Sequence, residues 1–341
     1  MIPDQQAPLS RHIPITHVSA VHRAAQTARS VAFELGLPSA LPDQAAVIAS
    51  ELASNLEKHA GGGEVYVQPA LGAHGVEILA ADAGPGMDDL ARCLADGHTT
   101  TGTLGAGLGA VLRMATDFDV HTVPGEGTLA VARVLVPRGR NEPPYGNGRL
   151  GYLRLAAPGE EVSGDTLALA ADGEEHTLLM VDGLGHGPDA AEAARAAAAV
   201  FAGDPHRPLP ALLSAVNAGI RHTRGAAAAV LRVRPGLASF CGVGNVNAVL
   251  ITGGRTRHLL SQPGIVGRGA VKPLVRPLDL EPDAIAVLHT DGVDARWSLG
   301  AGPGPALAPA LLAARLMHRH RRSRDDATVL ALRVDGGAGA A

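Results

Sequence analysis

Apolar positions along this chain follow two different periods, and the switches between them mark out its elements. From Asp43 onward, Ile48, Leu52 and Leu56 recur at four-residue steps as one stripe, which predicts a helix over about Asp43 to His59. A helix over about Val18 to Leu35 precedes it, parted from it by Gly36-Leu37-Pro38. Short apolar runs at Glu64 to Pro69 and Val76 to Ala81 read as strands and lead into a glycine-rich loop. A helix near Leu108 to Ala115 follows, then strands near Asp119 to Val123 and Leu129 to Val136.

The second half is richer in strands. They are expected at Thr166 to Ala170, Thr177 to Val181, Ala227 to Val233, Ala238 to Val243, Ala248 to Thr252, Ala284 to His289 and Ala327 to Val334. Helices fall near Pro188 to Phe201, Leu209 to Ala218 and Leu307 to His320. That mixture predicts packed sheets flanked by helices. Between the halves, Pro137 to Gly148 is polar, rich in Gly and Pro, and without period. The expected organisation is therefore a domain over residues 1–136, a linker over 137–149, a second domain over 150–335 and a disordered tail over 336–341.

Composition narrows this picture. A chain of 341 residues exceeds what one core usually organises. Apolar content is 46% but aromatic content only 2%, so the cores are built from Ala, Val and Leu. A net charge of −4 gives no general pull toward nucleic acid or an anionic membrane. The basic run Arg315 to Arg324 lacks interleaved aromatics and reads as a solvated helix end. Cys93 and Cys241 fall in different halves, against a disulfide framework and for a reducing compartment. The opening residues are polar, and no apolar run nears the roughly 20 residues of a membrane span. The expectation is a soluble, cytoplasmic protein.

Chemistry-bearing residues gather in two sets. In the first half Glu51 and Asn55 share a helix face bordering the apolar stripe, where they could polarise a hydroxyl and hold a cation through oxygen. Asp82-Ala83-Gly84-Pro85-Gly86 ends an apolar strand, so its aspartate can accept from an exocyclic amine while the glycines let a base lie against backbone. Thr101 to Gly109, with Gly105, Gly107 and Gly109, runs into a helix whose free amides suit a polyphosphate. Singly, each also fits an ordinary turn or a surface pair; their order along the chain is what weighs.

The second set is acidic. Asp182-Gly183-Leu184-Gly185-His186-Gly187 puts a carboxylate at the end of a buried strand, and Asp165, Asp291 and the pair Asp325-Asp326 lie where strands or loops bring them alongside. Oxygen ligands of this kind suit Mg²⁺ or Mn²⁺. No Cys/His spacing points to zinc.

The first set, over about residues 15–136, resembles the GHKL ATPase fold, most closely the RsbT-like anti-sigma and switch kinases. That resemblance implies ATP as the ligand, Glu51 as general base, Asn55 as Mg²⁺ ligand and Asp82 as adenine anchor. Gly84 and Gly86 would frame the base, and Gly105, Gly107 and Gly109 would wrap the phosphates. The stretch Tyr152 to Val334 resembles the SpoIIE/RsbX branch of the metal-dependent (PPM-type) serine/threonine phosphatases, on five motifs. These are Val162 to Asp165, Asp182 to Gly187, Gly242 to Val246, Thr290 to Val293 and Arg324 to Thr328. It implies Asp182 as the ligand bridging two ions with the Gly183 carbonyl beside it, Asp291 and Asp325 on the second ion, and Asp165 supporting the first. The choice between Asp325 and Asp326 stays open, Asp294 stands where relatives often carry Glu, and His186 stays open between proton donor and turn residue.

The implied fold class is α/β of the α+β kind. It joins an N-terminal sandwich, a mixed sheet covered by helices on one face, to a C-terminal αββα β-sandwich flanked by helices. The implied function is a bifunctional switch that phosphorylates and dephosphorylates Ser or Thr on a STAS-domain antagonist or scaffold protein of a sigma-factor pathway. Nucleic acid and membrane are not expected as partners, and a homodimer is left open. The alternative is a phosphatase whose ATP-binding domain only sequesters its partner.

Overall fold

Strand-forming residues open the described chain: β1 (Gln5–Gln6) and β2 (Arg11–Ile15) precede the first helix. The computed structural model describes residues 5–95, 107–136, 148–253, 255–298 and 307–334. They fall into two compact units, one of Ser10–Gly148 with Ala310–His318, the other of Met1–Leu9, Arg149–Pro309 and Arg319–Ala341. No periodicity in the sequence marks that exchange of end segments.

In the first unit, α1 (Val18–Glu34) and α2 (Leu41–Asn55) pack on β3 (Gly63–Pro69) and β4 (Gly75–Ala81). The four-residue stripe of α2 is buried, with Ile48 and Leu52 in a core shared with Val65, Val67, Ile78 and Ala80. α3 (Leu90–Leu94), α4 (Gly107–Met114), β5 (Asp117–Val123) and β6 (Gly127–Leu135) complete the unit's main run, and the sheet order is β2-β3-β4-β6-β5. Strand alternation sends Gln68, Glu77 and Arg133 to the other face of the sheet. There Arg133 Nε donates to Glu77 at 2.6 Å, Gln68 donates to Glu77 at 2.7 Å, and Arg133 also pairs with Asp117.

One expectation is corrected here. The sheet foreseen as mixed is antiparallel at every ladder among the described residues. Tight hairpins join β3 to β4 and β5 to β6, and a hairpin reverses the strand direction. The layered α+β arrangement stands as expected, with α1 and α2 over one face of the sheet.

The second unit is a sandwich. Its strands are β7 (Leu150–Leu155), β8 (Asp165–Asp172), β9 (Glu175–Gly183), β10 (Ala226–Arg234), β11 (Leu237–Val243), β12 (Asn247–Thr252), β13 (Arg255–Leu259), β14 (Arg276–Asp279), β15 (Ile285–His289) and β16 (Ala327–Arg333). One sheet runs β1-β8-β9-β10-β11-β14 and the other β13-β12-β15-β16-β7, each antiparallel throughout its described ladders. The sheets meet where β16 touches β8 and β10 touches β12. α5 (Pro188–Gly203) and α6 (Leu209–Gly219) cover the first sheet, burying Ala194, Ala197, Phe201, Leu212 and Val216 against Leu179, Val181 and Val230. Burial on both faces explains why these strands read as continuous apolar runs. The last helix, α7 (Pro309–His320), contributes residues 310–318 to the first unit. Among the described residues no helix is long and apolar enough to cross a membrane.

Candidate functional site

Part of the nucleotide set lines one cleft of about 490 Å³ in the first unit: Glu51, Asn55, Asp82, Gly86 and Gly107 are among its walls, and Gly84 is not. α2 presents Glu51 and Asn55 one turn apart, half-buried, while its other face anchors in the core. The helix does not stop after Asn55. It widens into a π-helical turn, Leu56–Ala60, which ends at Gly61 with φ of 71° and sets Lys58 and His59 against the cleft. Such wide turns often mark functional positions, and no hydrophobic stripe foretells one.

Asp82 sits just past β4 and is buried. Its Oδ1 accepts from the Gly84 amide at 2.8 Å and the Thr128 amide at 3.1 Å, so Oδ2 carries neither bond. Burial raises its pKa, and the two amides pull it back. Gly86 has φ of 69°, and a Cβ there would lie 2.3 Å from the Val123 carbonyl oxygen, so the loop closes on β5 only with glycine. Gly109 is buried in α4 rather than on the cleft wall, and Gly105 lies outside the described residues. Thr128 and Lys58 are cleft residues that the sequence reading passed over; Thr128 carries no motif, and its place follows only from pairing β6 beside β4.

The acidic set assembles in the second unit at one end of the sandwich. Asp165 starts β8 and Asp182 lies near the end of β9, and the two are direct cross-strand partners. Desolvation, then the charges of Asp165, Asp291 and Asp325, and a hydrogen bond with Asp291 hold the Asp182 carboxyl well above the ordinary range. Asp165 is raised in the same direction by burial, against a 2.6 Å bond from the Thr290 hydroxyl. Asp325 is raised first by burial and then by Asp291. Asn245 donates to Asp291 Oδ2.

Asp326 does something else. Its Oδ1 accepts from the Ala157 amide and its Oδ2 from the Gly164 amide, both at 2.8 Å, so it clasps the turn that leads into Asp165. Gly292 lets Asp291 approach that strand: a Cβ there would stand 1.8 Å from the Asp326 carbonyl oxygen. Of the two neighbouring acids, Asp326 is thus tied to backbone amides through both oxygens, while Asp325 feels the charge of Asp291. Asp294 is turned away and bonds Arg296. His186 is mostly exposed and pairs with Glu160 at 2.8 Å, a partner that lies in a loop with no motif. Trp297 is buried and donates to His289 at 3.1 Å, so it packs.

The donor set suits a hard divalent cation. Asp182 Oδ2 is buried without a hydrogen-bond partner, an orphan that a cation would satisfy. The side chains whose charges act on it are carboxylates, the oxygen ligands such ions prefer. Among the described residues no three His, Cys, Asp or Glu side chains close on one point.

Comparison with known proteins finds relatives for each unit. Residues 16–133 match the family described as Histidine kinase-like ATPase domain, and residues 172–335 match Stage II sporulation protein E (SpoIIE). The chain is 39% identical over 107 residues to Serine/threonine-protein kinase RsbT of Bacillus subtilis (strain 168), covering 31% of this chain and 80% of RsbT. It is 26% identical over 144 residues to Phosphoserine phosphatase RsbX of the same organism, covering 41% of this chain and 72% of RsbX. Among solved structures, a chain of the bacterial stressosome is 27% identical over 54% of this chain and 97% of its own, with a TM-score of 0.49. RsbX in complex with magnesium is 23% identical over 54% and 94%, with a TM-score of 0.48.

Proposed function

We propose a function for a chain that belongs to the histidine kinase-like ATPase family of RsbT and continues into a SpoIIE phosphatase domain: a two-way phosphoryl switch on a protein partner. In the first unit Asp82 would accept a hydrogen bond from the exocyclic amine of ATP, the Asn55 amide oxygen would hold Mg²⁺, and Glu51 would take the proton of a partner serine or threonine hydroxyl as that oxygen displaces ADP from the terminal phosphorus. In the second unit Asp182, with the Gly183 carbonyl, Asp291, Asp325 and Asp165, would hold Mg²⁺ or Mn²⁺. Such ions polarise a water and offset phosphoryl charge. The protein's own part there is to gather four carboxylates, keep Asp165 aligned through Thr290, and fix the entering turn through Asp326.

The observation that carries this reading is the unpartnered, buried Oδ2 of Asp182 amid three other acids whose charges press on it. The partner is proposed to be a STAS-domain antagonist or scaffold of a sigma-factor pathway, in line with the kinase and phosphatase names of the two relatives. The test uses the purified chain with γ-labelled ATP and such a partner. Label should reach the partner, Glu51→Ala should abolish transfer while ATP still binds, and Mn²⁺ without ATP should release the label. If the wild type never labels a partner, the ATP unit is a sequestering module; if label is released equally in excess chelator, the metal reading fails.

A further inference from the structure

The phosphatase reading leaves open what draws a phosphoprotein to the second unit, and the loop around the acidic cluster bears on it. β9 pairs antiparallel with β10, with Gly183 opposite Ala226. The pairing runs on past the strand ends: the Leu184 amide donates to the Gly225 carbonyl at 3.1 Å, which puts Arg224 level with Gly185. On its other side β10 meets the 262–268 loop, where Ala226 and Val266 exchange both backbone bonds in an antiparallel bridge. The same count sets Arg268 level with Arg224, and Arg268 Nε donates to the Arg224 carbonyl at 3.1 Å. Two arginines, at facing backbone positions, therefore lie just beyond the Asp182 end of the sheet.

Both arginines are exposed. Arg224 pairs with Asp189 at the start of α5, whereas Arg268 meets only a backbone carbonyl among the described residues. Leu184 and Ile265, also exposed, flank the pair. Two cations and two apolar side chains beside a cluster of carboxylates make a lip of opposite character to the centre it borders. Distance then decides what the lip can hold. Gly185 lies three residues beyond Asp182, within roughly 11 Å along the chain, and the two guanidinium groups are engaged by Asp189 and by the Arg224 carbonyl. An extended peptide advances by about 3.3 Å per residue, so the span fits acidic side chains two or three positions from the phosphorylated residue.

We propose that Arg224 and Arg268, with Leu184 and Ile265, form a docking lip that selects phosphoserine or phosphothreonine segments carrying Asp or Glu two to three residues from the phosphate. The inference rests on the proposed phosphatase activity and names its substrate class. Arg268 supplies the unpaired cation. Arg224 divides its charge between Asp189 and the incoming segment, and the apolar pair takes the side chain between. Exposed pairs of this sort are worth little singly, so the expected discrimination is modest, about three- to tenfold.

The test compares two phosphopeptides on the intact chain with Mn²⁺, one with Glu at those positions and one with Lys. Wild type should favour the acidic peptide in kcat/KM, Arg268→Gln should erase most of the preference, and Arg268→Glu should reverse it toward the basic peptide, with Arg268→Lys largely retaining the wild-type ratio. A ratio that stays the same in Arg268→Gln and Arg268→Glu would overturn the proposal. Fluorescence anisotropy with the same labelled peptides reads the lip separately. Should the wild type hydrolyse neither peptide, the phosphatase reading falls, and equal binding of both would then sink the lip as well.

Discussion

Asp165 and Asp182 stand directly opposite each other across the β8–β9 ladder, so a buried carboxylate and a half-buried one share one face of the sheet as close cross-strand neighbours. Like charges so placed oppose folding unless a proton or a cation comes between them. The surrounding sandwich thus holds these acids in an arrangement their own charges resist, and a bound divalent cation would relieve that resistance.

Replacing Asp182 by Asn should therefore separate stability from activity. Partners outside the ligand shell commonly cost 10–100-fold when removed, so losing a ligand should lower Mn²⁺-dependent hydrolysis of a small phosphoester by more than about 100-fold. In chelator near neutral pH the same variant should melt at or above the wild-type temperature, because a neutral amide escapes the cost of keeping a carboxyl protonated among other acids. Full activity in Asp182→Asn would remove this residue from the chemistry.

The raised acids also fix a pH dependence. A carboxyl whose folded pKa lies above its ordinary 3.8 binds a proton more tightly folded than unfolded, so its contribution favours folding at low pH. That contribution fades as pH climbs from 3.8 through the raised value, while cation binding gains over the same range. Thermal melts in chelator should show the wild type losing ground to Asp182→Asn between pH 5 and pH 8, and saturating Mg²⁺ should cancel the loss. A difference independent of pH would mean that Asp182 is ionised throughout.

Asp82 carries the corresponding prediction for the nucleotide cleft. Hydrogen bonds to charged groups contribute more than neutral ones, so Asp82→Asn should weaken ATP binding about ten- to hundredfold by calorimetry. Because burial raises the Asp82 pKa, wild-type affinity should also fall as pH drops toward it, and the Asn variant should show no such decline.

On the far face of the ATPase sheet, Arg133 is buried against Glu77 and Asp117. Glu77→Ala would leave a buried guanidinium short of its better-shielded partner and strip the Gln68 amide of an acceptor. The expected loss is about 3–5 kcal/mol by urea unfolding. A loss below about 1 kcal/mol would mean that water reaches Arg133 freely.

Much of this was legible before any coordinates. The α2 stripe, the strand ends bearing Asp82, Asp182 and Asp291, and the long buried runs of the sandwich are local signals, and local periodicity records them. What could not be read depends on pairing between distant residues. Thr128 reaches Asp82 only because β6 lies beside β4, and Asp326 differs from Asp325 only through amides of Ala157 and Gly164 far up the chain. The π-helical turn after Asn55 escaped notice because one extra residue per turn leaves the apolar stripe nearly unchanged. Short strands such as β1 and β13 offer too few residues for a period to show.

The pairing of β1 with β8 carries a practical consequence. Residues Gln5 to Ala7 seal the rim of the sheet that bears Asp165, and Arg154 donates to the Ala7 carbonyl to keep them there. A phosphatase piece excised from residue 149 onward would bare the outer edge of β8, and uncovered edges recruit one another. Anyone isolating that half should carry the chain's first few residues along, or meet clumping that has nothing to do with the acidic cluster.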